Sequence, residues 1–257
     1  MAGVAGTLTR SGTFVWEELV TSDVKAAREF YGALLGWSFD VMPMGEGMTY
    51  TMAGPGDQTV GGLFQSTDIP PHWGTYVGVE SADDATAKAE KLGAKVLKQP
   101  FDVMGNGIMS VIEDPTGAVI QLWQALGGEG DEPTPAHGTV AWRELRTGDI
   151  DAALTFYSEL FGWNAVANDM GNMVYYVFHK DERPVAGAMQ LFGKMANVPP
   201  HWAVTFNVDD VDASFAVATG SGATVQMAPD DLPDVGRFAA LADPQGVSFG
   251  IMKWAQQ

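Results

Sequence analysis

The sequence contains no cysteine and only four histidines, and its 14 Lys plus Arg face 32 Asp plus Glu among 257 residues. Without cysteine there are no disulfides, no thiolate metal ligands and no thiol nucleophile. The shortage of basic residues leaves a formal net charge of −18. Phosphate binding needs clustered Lys and Arg to release counterions, so nucleic acid is an unsuitable partner, and an anionic membrane surface is disfavoured by the same sign. No run approaches the ~18 consecutive apolar residues that span a bilayer. Met1 to Gly12 carries one basic residue, Arg10, and no long apolar stretch, so it does not read as a secretory leader and a cytoplasmic protein is expected. What is present is 46% apolar and 18% charged residues, a balance that suits a globular chain with a sizeable core.

The chain is written twice. Trp16-Glu17-Glu18-Leu19 returns as Trp142-Arg143-Glu144-Leu145, and Phe30-Tyr31 with Leu34, Gly36 and Trp37 returns, at the same offset, as Phe156-Tyr157 with Leu160, Gly162 and Trp163. Pro70-Pro71-His72-Trp73 returns as Pro199-Pro200-His201-Trp202, and Asp114-Pro115-Thr116-Gly117 as Asp243-Pro244-Gln245-Gly246, at an offset three residues longer. Four landmarks in one order mark an internal duplication with a unit of roughly 110 residues. Gly127 to Pro135 is rich in Gly, Pro and acids and reads as a linker. The expected domains are residues 10–126 and 137–255, joined by residues 127–136.

Within each copy the hydrophobic period changes from strand to helix and back. Phe14 to Leu19 is a strand candidate, followed by Ser22-Asp23 as a cap and the stripe Val24, Ala27, Phe30, Tyr31, Leu34 that stops at Gly36. Met48 to Ala53 and Thr59 to Phe64 are short strands. Gly74 to Val79 opens the order again, with a helix from Ser81 to Leu92. Strands at Met109 to Ile112 and Ala118 to Trp123 flank the Asp114-Pro115-Thr116-Gly117 turn. The second copy repeats this, with helices over Thr147 to Gly162 and Val208 to Gly220. Each copy is therefore strand, helix, strands, twice over.

A strand, then Asp-x-x-x-Ala-x-x-Phe-Tyr-x-x-Leu-x-Gly-Trp, then Asp-Pro-x-Gly before a last apolar strand, resembles the vicinal oxygen chelate superfamily of glyoxalase, bleomycin-resistance and extradiol-dioxygenase proteins. The resemblance covers nearly the whole chain. It is most similar to the tandem, double-domain actinobacterial type labelled as hydroxylases, a group that includes a mycobacterial culture-filtrate antigen. The implied fold is α+β: two tandem glyoxalase-like domains, each of two βαβββ modules forming an open barrel-like cup.

Metal-dependent relatives, the resemblance implies, hold an ion with His, Glu or Gln on the first and last strands of each module. Those positions fall on Trp16, near Gly62, near Gly74 and on Gln121 in the first copy. In the second they fall on Trp142, Gly187, Ala203 and Gly250. Indole is a donor only, and Gly and Ala offer no ligand, so Gln121 stands alone. His72 and His201, beside Pro pairs, read as anchors of the crossover between modules, and His137 and His179 as linker and loop residues. The expectation is a cup with no metal and no cofactor, which speaks against glyoxalase I or extradiol chemistry.

Strand alternation puts Glu18 on the face of Trp16 and Glu144 on the face of Trp142. Val119, Gln121 and Trp123 share a face of the last strand. An aromatic wall with a few polar groups suits a small flat ligand. Trp16, Gln121, Trp123, Trp142 and Arg237 are the expected ligand-binding residues; Arg237 follows Gly236 where the first copy has Ile108, so an anionic or carbonyl-bearing ligand would favour the second cup. Glu18 and Glu144 are the candidate general base or acid, with pairing to an Arg such as Arg146 as the plainer alternative. The clustered Met42, Met44, Met48 and Met52 read as core filler. The function expected is metal-independent binding of a small aromatic or carbonyl-bearing metabolite. The alternative is a cofactor-free isomerase, lyase or hydroxylase using a cup carboxylate, and a metal-dependent glyoxalase or dioxygenase ranks below both. The partner is a small molecule, and a monomer and a homodimer both suit a chain that already carries four modules.

Overall fold

The computed structural model describes residues 10–45, 47–127, 132–171 and 173–255. The linker expectation falls partly on residues 128–131, which lie outside the described residues. In the first copy the elements are β1 (Phe14–Thr21), α1 (Val24–Leu35), β2 (Trp37–Gly45), β3 (Met48–Pro55) and β4 (Gly61–Gln65), then β5 (His72–Gly78), α2 (Ala82–Lys91), β6 (Lys95–Asp102), β7 (Gly107–Glu113) and β8 (Val119–Ala125). The second copy repeats the order. Its first module is β9 (Val140–Thr147), α3 (Ile150–Phe161), β10 (Asn164–Asp169), β11 (Val174–Lys180) and β12 (Arg183–Gln190), and its second is β13 (His201–Asn207), α4 (Val211–Gly220), β14 (Thr224–Leu232), β15 (Gly236–Ala242) and β16 (Ser248–Trp254). The fold is α+β, with two open eight-stranded mixed sheets in the orders β2-β3-β4-β1-β5-β8-β7-β6 and β10-β11-β12-β9-β13-β16-β15-β14. No helix among the described residues is long and apolar enough to cross a membrane.

Local chemistry sets the helix limits. Asp23 caps α1 by accepting from the Ala26 amide at 3.0 Å, and Gly36 ends it in the left-handed region at φ 65. Asp149 and Gly162 do the same for α3, so this helix starts three residues after the expected Thr147. Asp210 likewise moves the start of α4 from Val208 to Val211. The edge strands β2 and β6 show little apolar alternation because most of their residues are exposed, and periodicity alone does not reveal them. His179, read as a loop residue, lies in β11. Met42 and Met48 are exposed, which corrects their reading as core filler.

The contacts divide the chain across the repeat. One compact unit carries α2 with β6–β8 and α3 with β10–β12; the other carries α1 with β2–β4 and α4 with β14–β16. Each unit has its own apolar core, built from both copies. In the first unit, Tyr157 of α3 donates to Asp114 Oδ2 at 2.8 Å and accepts from Trp202 Nε1 at 3.0 Å. Asp114 Oδ1 also accepts the Thr116, Gly117 and Ala118 amides of its own turn. The second unit repeats the arrangement: Tyr31 donates to Asp243 Oδ2 at 3.0 Å and accepts from Trp73 Nε1 at 3.2 Å. The Asp-Pro-x-Gly turns therefore do more than reverse the chain, since each binds a helix of the other copy.

The second unit also buries an ion pair between equivalent positions of the repeat. Glu17, 2% exposed at its side chain, receives Arg143 Nε at 2.7 Å. The duplicated position has diverged to opposite charges that meet. Removing the cation leaves a buried carboxylate with a missing partner, so Arg143→Met is expected to cost about 3–5 kcal/mol, measured by urea unfolding; an unchanged midpoint would show the pair to be dispensable.

Tyr31 and Tyr157 are held well above the ordinary phenol value of 10.0, first by burial and then by the facing carboxylates. With the folded value raised, the native chain keeps protons that the unfolded chain releases. The resulting stabilisation is complete below about pH 10, the unfolded value, and is lost as pH rises through the folded value. The melting temperature is expected to fall steeply above that point, with phenolate absorbance from these tyrosines appearing together with unfolding. Their ionisation near the ordinary value in a still-folded chain would contradict the network.

Candidate functional site

The first strand of each copy presents a carboxylate opposite a glycine. β1 and β4 run parallel with Glu18 opposite Gly62, and β9 and β12 run parallel with Glu144 opposite Gly187. One strand further out, Tyr50 on β3 and Tyr175 on β11 stand two residues from the partners of those glycines, Met52 and Val177. The pleat places them on the same face.

In the first copy the Tyr50 hydroxyl accepts Trp16 Nε1 at 2.9 Å and lies within electrostatic reach of Glu18. Burial, then the Glu18 charge, pushes the Tyr50 phenol well above its usual value. A Cβ on Gly62 would come within 2.1 Å of the Tyr50 hydroxyl oxygen, so glycine is the residue that lets the phenol lie across the sheet. In the second copy Tyr175 donates to Glu144 Oε2 at 2.9 Å, and Arg146 Nε donates to Oε1 at 2.7 Å. The Arg146 partnership weighed for Glu144 from the sequence is therefore present.

The Trp142 ring meets Trp254 edge to face at 6.1 Å. At Gly250 a Cβ would meet Thr205 Oγ1 at 2.5 Å and the Phe238 ring at 2.8 Å. Arg237 is taken up by Asp212, at 2.7 and 2.8 Å, and by Asp231 at 3.0 Å. The cation beside the second carboxylate is Arg146.

On the other half of the first sheet, Gln121 is 7% exposed and sits opposite Tyr76 on β5. Its Oε1, like Thr75 Oγ1, has no hydrogen-bond partner among the described residues. A buried orphan acceptor is costly unless a ligand or water donates to it. Trp123 lies two residues on, with its ring over Gly107, where a Cβ would come within 2.3 Å.

His201 opens β13 and donates Nδ1–H to the Pro199 carbonyl at 2.8 Å, since a carbonyl can only accept. The Nε2 lone pair is then available. Burial lowers its pKa, the Pro199 bond opposes that, and Arg146 and Glu144 act on it electrostatically. His72 makes the equivalent bond to Pro70 at 2.8 Å. The sequence reading passed over Tyr50 and Tyr175, although they recur at one fixed spacing before Gly62 and Gly187.

The sequence profile of the Glyoxalase/Bleomycin resistance protein/Dioxygenase superfamily matches residues 13–122 and 139–251. The chain belongs to this superfamily. This glyoxalase-superfamily chain is 38% identical over 255 residues to CFP32 of Mycobacterium tuberculosis, whose name includes the word glyoxylase, covering 96% of this chain and 97% of that one. It is 34% identical over 258 residues to the anthracycline biosynthesis protein DnrV of Streptomyces peucetius, covering 94% and 93%. Its fold matches an Mn(II)-bound glyoxalase from Novosphingobium aromaticivorans with TM-score 0.65 at 15% identity, covering 95% and 83% of the two chains. The 2,3-dioxygenase LapB from Pseudomonas sp. KL28 matches with TM-score 0.66 at 14% identity, covering 97% and 95%.

Tyr50 fills the space above Gly62, Thr205 and Phe238 that above Gly250, and no group of three or more His, Asp or Glu side chains converges among the described residues. At neutral pH, long-range proton–nitrogen correlation spectra are expected to show His201 and His72 as the Nδ1–H tautomers. An Nε2–H tautomer at His201 would mean that the ring is turned and its free lone pair faces the wrong way.

Proposed function

We propose that the protein is a metal-independent binder of a small carbonyl-bearing or aromatic metabolite, held on the cup faces of its two sheets. The observation that carries this reading is the Tyr–Glu pair found in both copies, Tyr50 with Glu18 and Tyr175 with Glu144, each carboxylate opposite a glycine of the neighbouring strand. In each copy the pair supplies fixed polar groups beside apolar and aromatic surface, the usual composition of a small-molecule site. Trp16 extends the first face, and Gln121 with Trp123 offers an acceptor beside an aromatic wall. The names of the relatives diverge between glyoxylase and anthracycline biosynthesis, so the ligand class is argued from the site.

The alternative, a cofactor-free enzyme with Glu144 or Glu18 as general base, is less well supported. Glu144 engages one oxygen with Arg146 and the other with Tyr175, which suits a carboxylate that orients its neighbours more than one that collects a substrate proton.

The test uses the tag-free chain and menadione, a flat carbonyl-bearing probe. Menadione is expected to quench tryptophan emission, and Tyr50→Phe with Tyr175→Phe is expected to weaken binding about tenfold, the loss of roughly one net hydrogen bond. Stoichiometric metal in protein purified without chelator, or quenching indifferent to both substitutions, would overturn the reading.

A further inference from the structure

The two copies are not equivalent at the Tyr–Glu pair. Arg146 occupies the position that is Val20 in the first copy, where the side chain is apolar and 5% exposed. Arg146 uses Nε for Glu144 and makes no other hydrogen bond among the described residues, so its two Nη groups keep their donors; its side chain is 24% exposed. His201 lies within electrostatic reach of both Arg146 and Glu144. Its Nδ1–H is committed to Pro199, which turns the remaining ring nitrogen into an acceptor. A planar pair of donors on β9 and a single acceptor at the start of β13 thus lie on strands that are neighbours in the sheet.

That pattern has a complement. The Nη pair matches two lone pairs on a carboxylate or one carbonyl oxygen. The imidazole lone pair asks for a donor, such as a hydroxyl. Glu144 already balances the guanidinium charge, so a polyanion such as a phosphate ester is a poor occupant, and the guanidinium repels a metal cation. We propose that Glu144, Arg146, Tyr175 and His201 form a site for a small hydroxy acid or hydroxy-carbonyl compound, with Arg146 donating to its carboxylate or carbonyl oxygen and His201 Nε2 accepting from its hydroxyl. Glu144 and Tyr175 hold the guanidinium in place. This assignment rests on the binding reading above and adds to it a ligand class and a division of labour between the copies.

The probe is salicylate, compared with benzoate, which lacks the hydroxyl, and 2-methoxybenzoate, which has the oxygen without its proton. Binding to the full chain is followed by tryptophan emission and by the ring resonances of the histidines. Salicylate is expected to bind about tenfold more tightly than either control, as expected for one net hydrogen bond, and to shift the His201 resonances while those of His72 stay. Arg146→Met is expected to weaken all three about tenfold. His201→Phe is expected to remove only the advantage of salicylate, and His201→Gln, which keeps an acceptor, to restore part of it; near-ultraviolet dichroism checks that each variant is folded. Equal affinity for salicylate and benzoate, an unaffected Arg146→Met, or shifts at His72 in place of His201 would overturn the assignment. If salicylate fails while menadione binding still depends on Tyr50 and Tyr175, this inference falls alone; if both probes fail, the binding reading falls with it.

Discussion

Each of the two cores is closed by a buried chain of three polar groups: an indole N–H, a tyrosine hydroxyl and an aspartate. The aspartate satisfies several amides of its own turn with one oxygen and takes the tyrosine with the other. In a water-free interior such a chain is stable only when every member is satisfied, and one missing group strands the rest. Because the aspartate belongs to one copy and the tyrosine to the other, each core needs both halves of the duplication. The chain is therefore not two beads on a string, and the compact units cut across the repeat.

That constraint also explains what could change. The residues that close the cores recur in both copies as Phe-Tyr and as Asp-Pro-x-Gly, and they make the same bonds each time. Residues on the first strands were freer to diverge. Glu17 and Arg143, which occupy one position of the repeat, became opposite charges that pair. Val20 and Arg146, another equivalent pair, separate an apolar face from one with a cation beside the Tyr–Glu pair. A duplicated scaffold with shared cores lets one copy's face change while the packing below it stays fixed.

Gly62 and Gly250 have a physical reason in this setting. At Gly62 the missing side chain is the space that Tyr50 occupies, and at Gly250 it is filled by Thr205 and Phe238. Beside Gly62 the polar groups are the Tyr50 phenol and the Glu18 carboxylate, a pairing suited to orienting an organic ligand.

The sequence by itself determined the duplication, the four-module order, the helix cap at Ser22-Asp23, and, through its motifs, the resemblance to the superfamily, because these rest on local spacing. It also placed Trp16, Glu18, Trp142 and Glu144 on first strands through simple alternation. The tertiary structure alone decided which copy each turn aspartate serves, since a hydrogen bond between residues far apart in the chain leaves no periodic trace. It alone brought Tyr50 and Tyr175 to the carboxylates, because that meeting depends on strand register. The two cations were also assigned by packing: Arg237 went to the carboxylates of α4 and β14, while Arg146 was left beside Glu144 and His201. Charge can be counted along a chain, but its neighbours are chosen only when strands pair.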